Sequence, residues 1–205
     1  MANEKIIQQG AEALILLNNN EVIKKRIKKS YRLPEIDEEI RKLRTRSEAK
    51  LIEKAGKVAS IPKIKKVDEK TKEITMEFIN GKKLSDNLDS FLLGKQKEIC
   101  KKIGENIAKF HDADIIHGDL TTSNMILKDN EVFFIDFGLG FHSHKTEDKA
   151  VDIHLLKQAL EARHFMYWKE LFDSVLHGYS ESKSSKLVLQ QLKKVESRGR
   201  YKDSY

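Results

Sequence analysis

A run of polar residues at fixed spacing restricts the fold of this chain more than any other feature. His117-Gly118-Asp119-Leu120-Thr121-Thr122-Ser123-Asn124 is followed, twelve residues after Asn124, by Asp136-Phe137-Gly138. Between them lie two apolar runs, Met125-Ile126-Leu127 and Val132-Phe133-Phe134-Ile135, with the turn-forming Lys128-Asp129-Asn130 between. That pattern predicts a hairpin which carries Asp136 back to the loop holding Asp119 and Asn124.

A phosphoryl-transfer site needs a carboxylate beside the attacking hydroxyl and oxygen ligands for magnesium. Asp119, Asn124 and Asp136 fit those roles in that chain order, on the spacing H-x-D-x-x-x-x-N and then D-F-G. Asp119 is expected to orient the acceptor hydroxyl and take its proton. Asn124 and Asp136 are expected to hold Mg2+ against the phosphates of ATP. Any one of the three could simply cap a turn; the set at this spacing argues for chemistry.

Further candidates lie upstream. Lys24 ends the apolar strand Val22-Ile23-Lys24, where its ammonium would pair with phosphates. Lys25 and Lys28 are rivals, but alternation along a strand puts Val22 and Lys24 on one face and Lys25 on the other. Glu48 is the expected helix partner of Lys24, with helical pairing to Arg44 as the alternative. Gln9-Gly10-Ala11-Glu12-Ala13 stands where a glycine-rich phosphate cover belongs. It has one glycine rather than three, and Gly10 reads equally well as a plain hairpin turn. Glu77 and Ile79 could bond adenine through their backbone, with Met76 behind the ring and Val22 and Ile126 on its faces. All of these also read as ordinary core.

The rest of the pattern suggests an α+β chain. Short strands are expected at Ile6-Ile7, Ala13 to Leu17, Val22 to Lys24, Lys63 to Lys66 and Ile74 to Ile79. A charged helix should run from Glu35 to about Ala55. Beyond a turn-like break at 80–84 the chain should be mostly helical. Ile99, Ile103, Ile107 and Phe110 mark one apolar face. Val151, Leu155, Leu156 and Leu160 mark a second. Leu171, Phe172, Val175 and Leu176 mark a third, and Val188, Leu192 and Val195 a fourth. A sheet-rich lobe at 1–79 and a helical lobe at 80–205, with a cleft between them, form one expected domain. Asp152 should brace the catalytic loop by accepting backbone N–H bonds. His111 and His117 should support loops rather than act as bases. His142 and His144 lack an evident third ligand, so solvation is expected there rather than a metal.

Composition narrows the setting. With 205 residues the chain can bury a sizeable core. Charged residues make up 35% and mean hydropathy is −0.56. No apolar run reaches the roughly 18 residues that a membrane span needs, and the N-terminus lacks the apolar stretch of a signal peptide. The lone Cys100 excludes an internal disulfide or a zinc–thiolate cluster. A cytoplasmic protein with no membrane association is expected. A net charge of +7 makes polyanions natural partners. Gly118 stands where phospho-regulated kinases carry Arg, only thirteen residues separate Gly138 from Asp152, and no A-P-E motif occurs. No long peptide-docking segment fits there.

At this point the residues resemble a known family. His111 through Ile126, Ile135-Asp136-Phe137-Gly138-Leu139 and Glu147-Asp148-Lys149-Ala150-Val151-Asp152 are similar to the small atypical kinase subunit of the KEOPS complex. So are Gln9 to Ala13, Lys24-Lys25-Arg26 with Tyr31-Arg32, and Arg44 to Ala49. The match runs from residue 6 to about residue 160, and Arg198-Gly199-Arg200 extends it. RIO-type kinases and aminoglycoside phosphotransferases are expected to share only the H-G-D and D-F-G-like pieces. The resemblance implies a minimal bilobal protein-kinase-like fold and an ATP-dependent Ser/Thr kinase or ATPase. It implies a metal-dependent threonylcarbamoyl-transferase subunit as partner, separate or fused, and a small regulatory subunit. It implies support of threonylcarbamoyladenosine formation next to the tRNA anticodon. In that family a basic tail contacts tRNA; here Arg198 and Arg200 are followed by the less basic Tyr201-Lys202-Asp203-Ser204-Tyr205. Two other readings stay open: a small-molecule kinase of the aminoglycoside type, and a non-catalytic scaffold for the transferase and tRNA.

Overall fold

Short apolar runs separated by turns form the first strands. The computed structural model describes residues 5–199. β1 (Lys5–Gln9), β2 (Ala13–Asn18) and β3 (Glu21–Arg26) follow one another as antiparallel hairpins. Asn19 takes φ 54° in the tight β2–β3 turn, a conformation that Asn tolerates better than most residues. α1 (Pro34–Ala55) opens with Pro at its first turn, where no helical N–H is lost. Thr45, Glu48, Ala49, Ile52 and Ala55 recur every three or four residues and form its buried stripe. β4 (Ile64–Asp68) and β5 (Glu73–Glu77) complete a five-stranded antiparallel sheet in the order β1-β2-β3-β5-β4. Residues 5–57 and 61–80 make up this first compact unit.

The second unit holds residues 58–60 and everything described from Gly81 onward. The expected break at 80–84 is in part a strand. β6 (Lys82–Lys83) pairs with Leu127 and Ile126 before α2 (Leu84–Asn87) begins. A side chain at 81 would stand 2.5 Å from the Leu127 carbonyl, so this edge pairing is possible only because the residue is Gly81. After a short 3-10 turn comes α3 (Leu93–Asp112), whose Ile99, Ile103, Ile107 and Phe110 are all buried as the periodicity predicts. β7 (Ile115–Ile116) leads into the loop at 117–124. β8 (Met125–Lys128) and β9 (Glu131–Phe134) form the expected hairpin, and β10 (Phe141–His142) pairs back on β7.

α4 (Thr146–Arg163), α5 (Trp168–Tyr179) and α6 (Ser185–Gly199) finish the unit. The apolar face expected on α4 is rotated. Leu156 and Leu160 are buried, but Val151 is exposed and Ile153 takes its place inside. Asp152 has to point inward to serve the loop below, and Ile153 turns in beside it. α3 and α5 cross at glycines. A Cβ on Gly104 would lie 2.0 Å from the Val175 carbonyl, and one on Gly178 would lie 2.0 Å from the Lys101 carbonyl. No apolar periodicity announces that contact.

Candidate active site

In the first unit, β3 alternation places Lys24 and Arg26 inward and Lys25 outward. Lys24 Nζ donates to Glu48 Oε1 at 2.6 Å. Arg26 Nη2 donates to Glu48 Oε2 at 2.5 Å. Each carboxylate oxygen therefore meets a cation, and all three side chains are buried. Lys25 is exposed and pairs with Glu73 instead, at 2.7 Å. Arg44, the alternative partner of Glu48, pairs with Glu12 at 2.7 Å. The sequence pattern did not single out Arg26. It lies two residues past Lys24, so the alternation that separated Lys24 from Lys25 also put Arg26 on the Glu48 side.

In the second unit, α4 braces the loop from behind. Asp152 Oδ2 accepts the His117 N–H, and Oδ1 accepts the Gly118 N–H, each at 2.9 Å. His111 Nε2 lies 3.2 Å from the same carboxylate, and its Nδ1 lies 2.9 Å from the Tyr179 hydroxyl. His117 is fully buried, its ring 4.5 Å from that of Phe137. Its Nε2 faces the Ile135 carbonyl at 3.1 Å, and its Nδ1 accepts the Asp119 N–H at 3.3 Å. One neutral tautomer satisfies both contacts. Burial holds His117 below the usual histidine range, against the opposing pull of Asp152, the Ile135 carbonyl, Asp136 and Asp119. The histidine thus ties the Asp119 loop to the strand leading into Asp136.

Asp119, Asn124 and Asp136 sit on that frame. Asn124 Nδ2 donates to Asp119 Oδ2 at 2.8 Å and to the Asp119 carbonyl at 3.0 Å. Nδ2 is thus the atom turned to Asp119, and Asn124 Oδ1 is the atom that suits a cation. Asp136 is exposed, takes φ 63° and receives the Gly138 N–H on Oδ1 at 3.1 Å. Gly118 has φ 78°, and a Cβ there would stand 2.4 Å from the Leu139 carbonyl. The Arg of phospho-regulated kinases has no room at that position. Thr122, one of the residues between Asp119 and Asn124, is pinned by the buried His164. His164 Nε2 is 3.0 Å from Thr122 Oγ1, and its Nδ1 is 2.9 Å from Asp89. Nothing in the sequence pattern announces that anchor.

The remaining nucleotide candidates are distributed as follows. Gln9 ends β1 opposite Leu14, and Gly10 donates its N–H to the Ala13 carbonyl in the hairpin turn. Ala11 lends its carbonyl to Lys29, and Glu12 pairs with Arg44 and Arg32. Met76 and Ile79 are buried, and Val22 is half-buried. Glu77 donates its N–H to the Lys63 carbonyl at 2.9 Å, so that donor is already used within the sheet unit. Ile126 is half-buried on β8. His142 and His144 do gain a third possible ligand, Asp114. Contrary to expectation a third donor exists, because Asp114, distant in sequence, arrives through the β7–β10 pairing. Arg198 lies on α6 and pairs with Glu147. Arg200 lies outside the described residues.

Asn124 and Asp136 offer oxygen atoms only, the donor type that Mg2+ requires. The buried Lys24 with its carboxylate partner is the arrangement that orients a cation for phosphate. The donor chemistry of both units therefore suits ATP and magnesium.

The RIO domain family profile matches residues 15–161, a wider likeness to RIO-type kinases than the shared motif pieces alone. The chain is 39% identical to the KEOPS complex subunit Bud32 of Pyrococcus abyssi, over 97% of each protein. It is 45% identical to a probable bifunctional tRNA threonylcarbamoyladenosine biosynthesis protein of Methanobrevibacter smithii. That match covers 97% of this chain and 37% of the longer protein. The Rio2 kinase of Chaetomium thermophilum, solved as an ADP/Mg2+-phosphoaspartate complex, shares the fold with a TM-score of 0.62 at 13% identity. The match covers 98% of this chain and 71% of that one. A protein-kinase-like fold, a RIO domain and near full-length likeness to a KEOPS subunit together mean that this chain belongs to the RIO-domain family, in its Bud32 branch.

Proposed function

We propose that this chain is a Mg2+-dependent ATP phosphotransferase or ATPase that serves the KEOPS complex in the cytoplasm. The observation that carries the reading is the loop in which Asn124 holds the Asp119 carboxylate while Asp152 grips the loop backbone. Such a carboxylate is positioned before substrate arrives, and positioning is most of what phosphoryl transfer asks of a protein.

Each residue has a stated task. The Asp119 carboxylate orients the attacking hydroxyl, of water or of a Ser/Thr side chain, and receives its proton. Asn124 Oδ1 and the Asp136 carboxylate hold the cation. Lys24 binds phosphate oxygens, with Glu48 keeping the flexible lysine in register. Gln9 to Glu12 are the candidates for phosphate binding, and Val22, Met76, Glu77, Ile79 and Ile126 are the candidates for adenine binding. Bound ATP supplies the transferable phosphoryl group, and magnesium neutralises the charge that develops on it. The chain as a whole acts as one kinase domain of two lobes.

The likeness to a KEOPS subunit and to bifunctional tRNA-modification proteins supports a threonylcarbamoyl-transferase subunit as the direct partner. It also supports a role in making threonylcarbamoyladenosine in tRNA, with a small regulatory subunit in the same assembly. Basic surface, together with Arg198 and Arg200, serves tRNA. Asp119→Ala should lower ATP turnover by at least about 100-fold while leaving the circular dichroism spectrum and melting transition in place. Turnover should be measured with and without the transferase subunit and tRNA. Equal rates for wild type and variant in both settings would overturn the assignment.

A further inference from the structure

Asp114 immediately precedes β7, and His142 ends β10. Their pairing sets Phe141 opposite Ile116 and His142 opposite Ile115. Just past the pair, Ser143 donates its N–H to the Asp114 carbonyl at 3.0 Å, and Asp114 itself is held at φ 57°. This ladder brings three donor side chains to one end. One ligand atom each from Asp114, His142 and His144 lies within 4.8 Å of the other two. His144 Nδ1 is 2.8 Å from Asp114 Oδ2, and the two imidazole rings meet edge to face at 5.1 Å.

We propose that Asp114, His142 and His144 form a binding site for a borderline divalent cation of the Zn2+ class. The site uses none of the residues assigned to phosphate transfer. Two imidazoles and a carboxylate are donors that Zn2+ accepts, whereas Mg2+ takes oxygen ligands almost alone. Four-coordinate zinc with bonds of about 2.0–2.1 Å needs donors roughly 3.3 Å apart. Both histidines are exposed, so their side chains can close that distance without disturbing the core. Water completes the fourth position.

Lys149 Nζ donates to Asp114 Oδ1, and that neighbouring cation favours the carboxylate form that ligates a metal. Lys149 occupies Oδ1 at 3.0 Å, and Oδ2, which already faces His144 Nδ1, is the oxygen that a metal would share with that ring. The positive charge of Lys149 opposes the ion, so binding is weaker than at a structural zinc site. A bound ion would link the segment entering His117-Gly118-Asp119 to the segment leaving Asp136-Phe137-Gly138.

The test is titration of the full chain with Co2+, read by its visible absorption. A four-coordinate band is expected, displaced by Zn2+ but not by Mg2+. His142→Ala and His144→Ala should each weaken Co2+ binding at least tenfold while keeping wild-type circular dichroism. No band at saturating Co2+, a weak octahedral spectrum, or an unchanged band in both variants would overturn the proposal.

Discussion

At the residue scale, two buried ionisable groups organise the site, and each makes a measurable claim. Burial disfavours the imidazolium of His117, so its folded-state proton affinity lies below the unfolded value of 6.5. The folded protein then binds fewer protons than the unfolded chain. Stability from this group is complete above that pH and is lost as pH falls below it. The loss is up to about 1.4 kcal/mol per pH unit until the folded pKa is reached. Urea unfolding of wild type and His117→Gln at pH 7, 6 and 5 checks this: the stability gap between them should shrink as the solution is acidified. Glu48 makes the opposite kind of claim. It separates two buried cations, so Glu48→Ala should cost about 3–5 kcal/mol of stability, far more than an exposed ion pair would. Denaturant titration of that variant beside Arg46→Ala, which breaks an exposed pair with Glu69, separates the two cases. Lys24 and Glu48 were legible from strand alternation and helix position. Arg26 obeys the same alternation, but the roles of His164 and Asp114 were not legible. Their partners stand at separations of 42 and 28–30 residues, and only the folded chain brings them together.

At the element scale, α1 was placed by its charged composition and the later helices by apolar periodicity, and their contacts were decided by details that neither signal carries. The α3–α5 crossing is set by Gly104 and Gly178, which carry no hydrophobic signal at all. In an isolated helix, Gly→Ala gains about 1 kcal/mol from propensity. At Gly104 the added methyl would sit 2.0 Å from a backbone carbonyl, so overpacking of about 1–3 kcal/mol should prevail and Gly104→Ala should lower the melting temperature. Gly94 lies in the same helix, and a methyl added there would meet nothing within 4 Å, so Gly94→Ala should leave stability unchanged or raise it. Matched melting curves of the two variants distinguish packing from propensity. The rotated face of α4 carries the same lesson. Asp152 was expected to brace the loop, and it does. Facing inward for that purpose, it brings Ile153 in and leaves Val151 at the surface, where a purely apolar count had placed it inside.

At the scale of the whole molecule, the net charge of +7 and the proposed service to tRNA make a joint prediction. If phosphates are contacted, the logarithm of the tRNA association constant should fall linearly with the logarithm of salt concentration. The slope should be roughly −0.7 to −0.9 for each phosphate engaged. Filter binding over a rising KCl series reads it directly, and a flat line would remove tRNA as an electrostatic partner. The order of sheet and helices and the hairpin between Asn124 and Asp136 were determined by sequence alone, because each rests on local spacing: strand alternation, helical period, and residues a short turn apart. Tertiary structure decided what those groups lean on. It supplied Arg26 for Glu48, His164 for Thr122, Asp114 for the two loop histidines, and the glycine crossing of α3 and α5. Those contacts depend on pairing register and close approach between distant segments, and no local pattern encodes either.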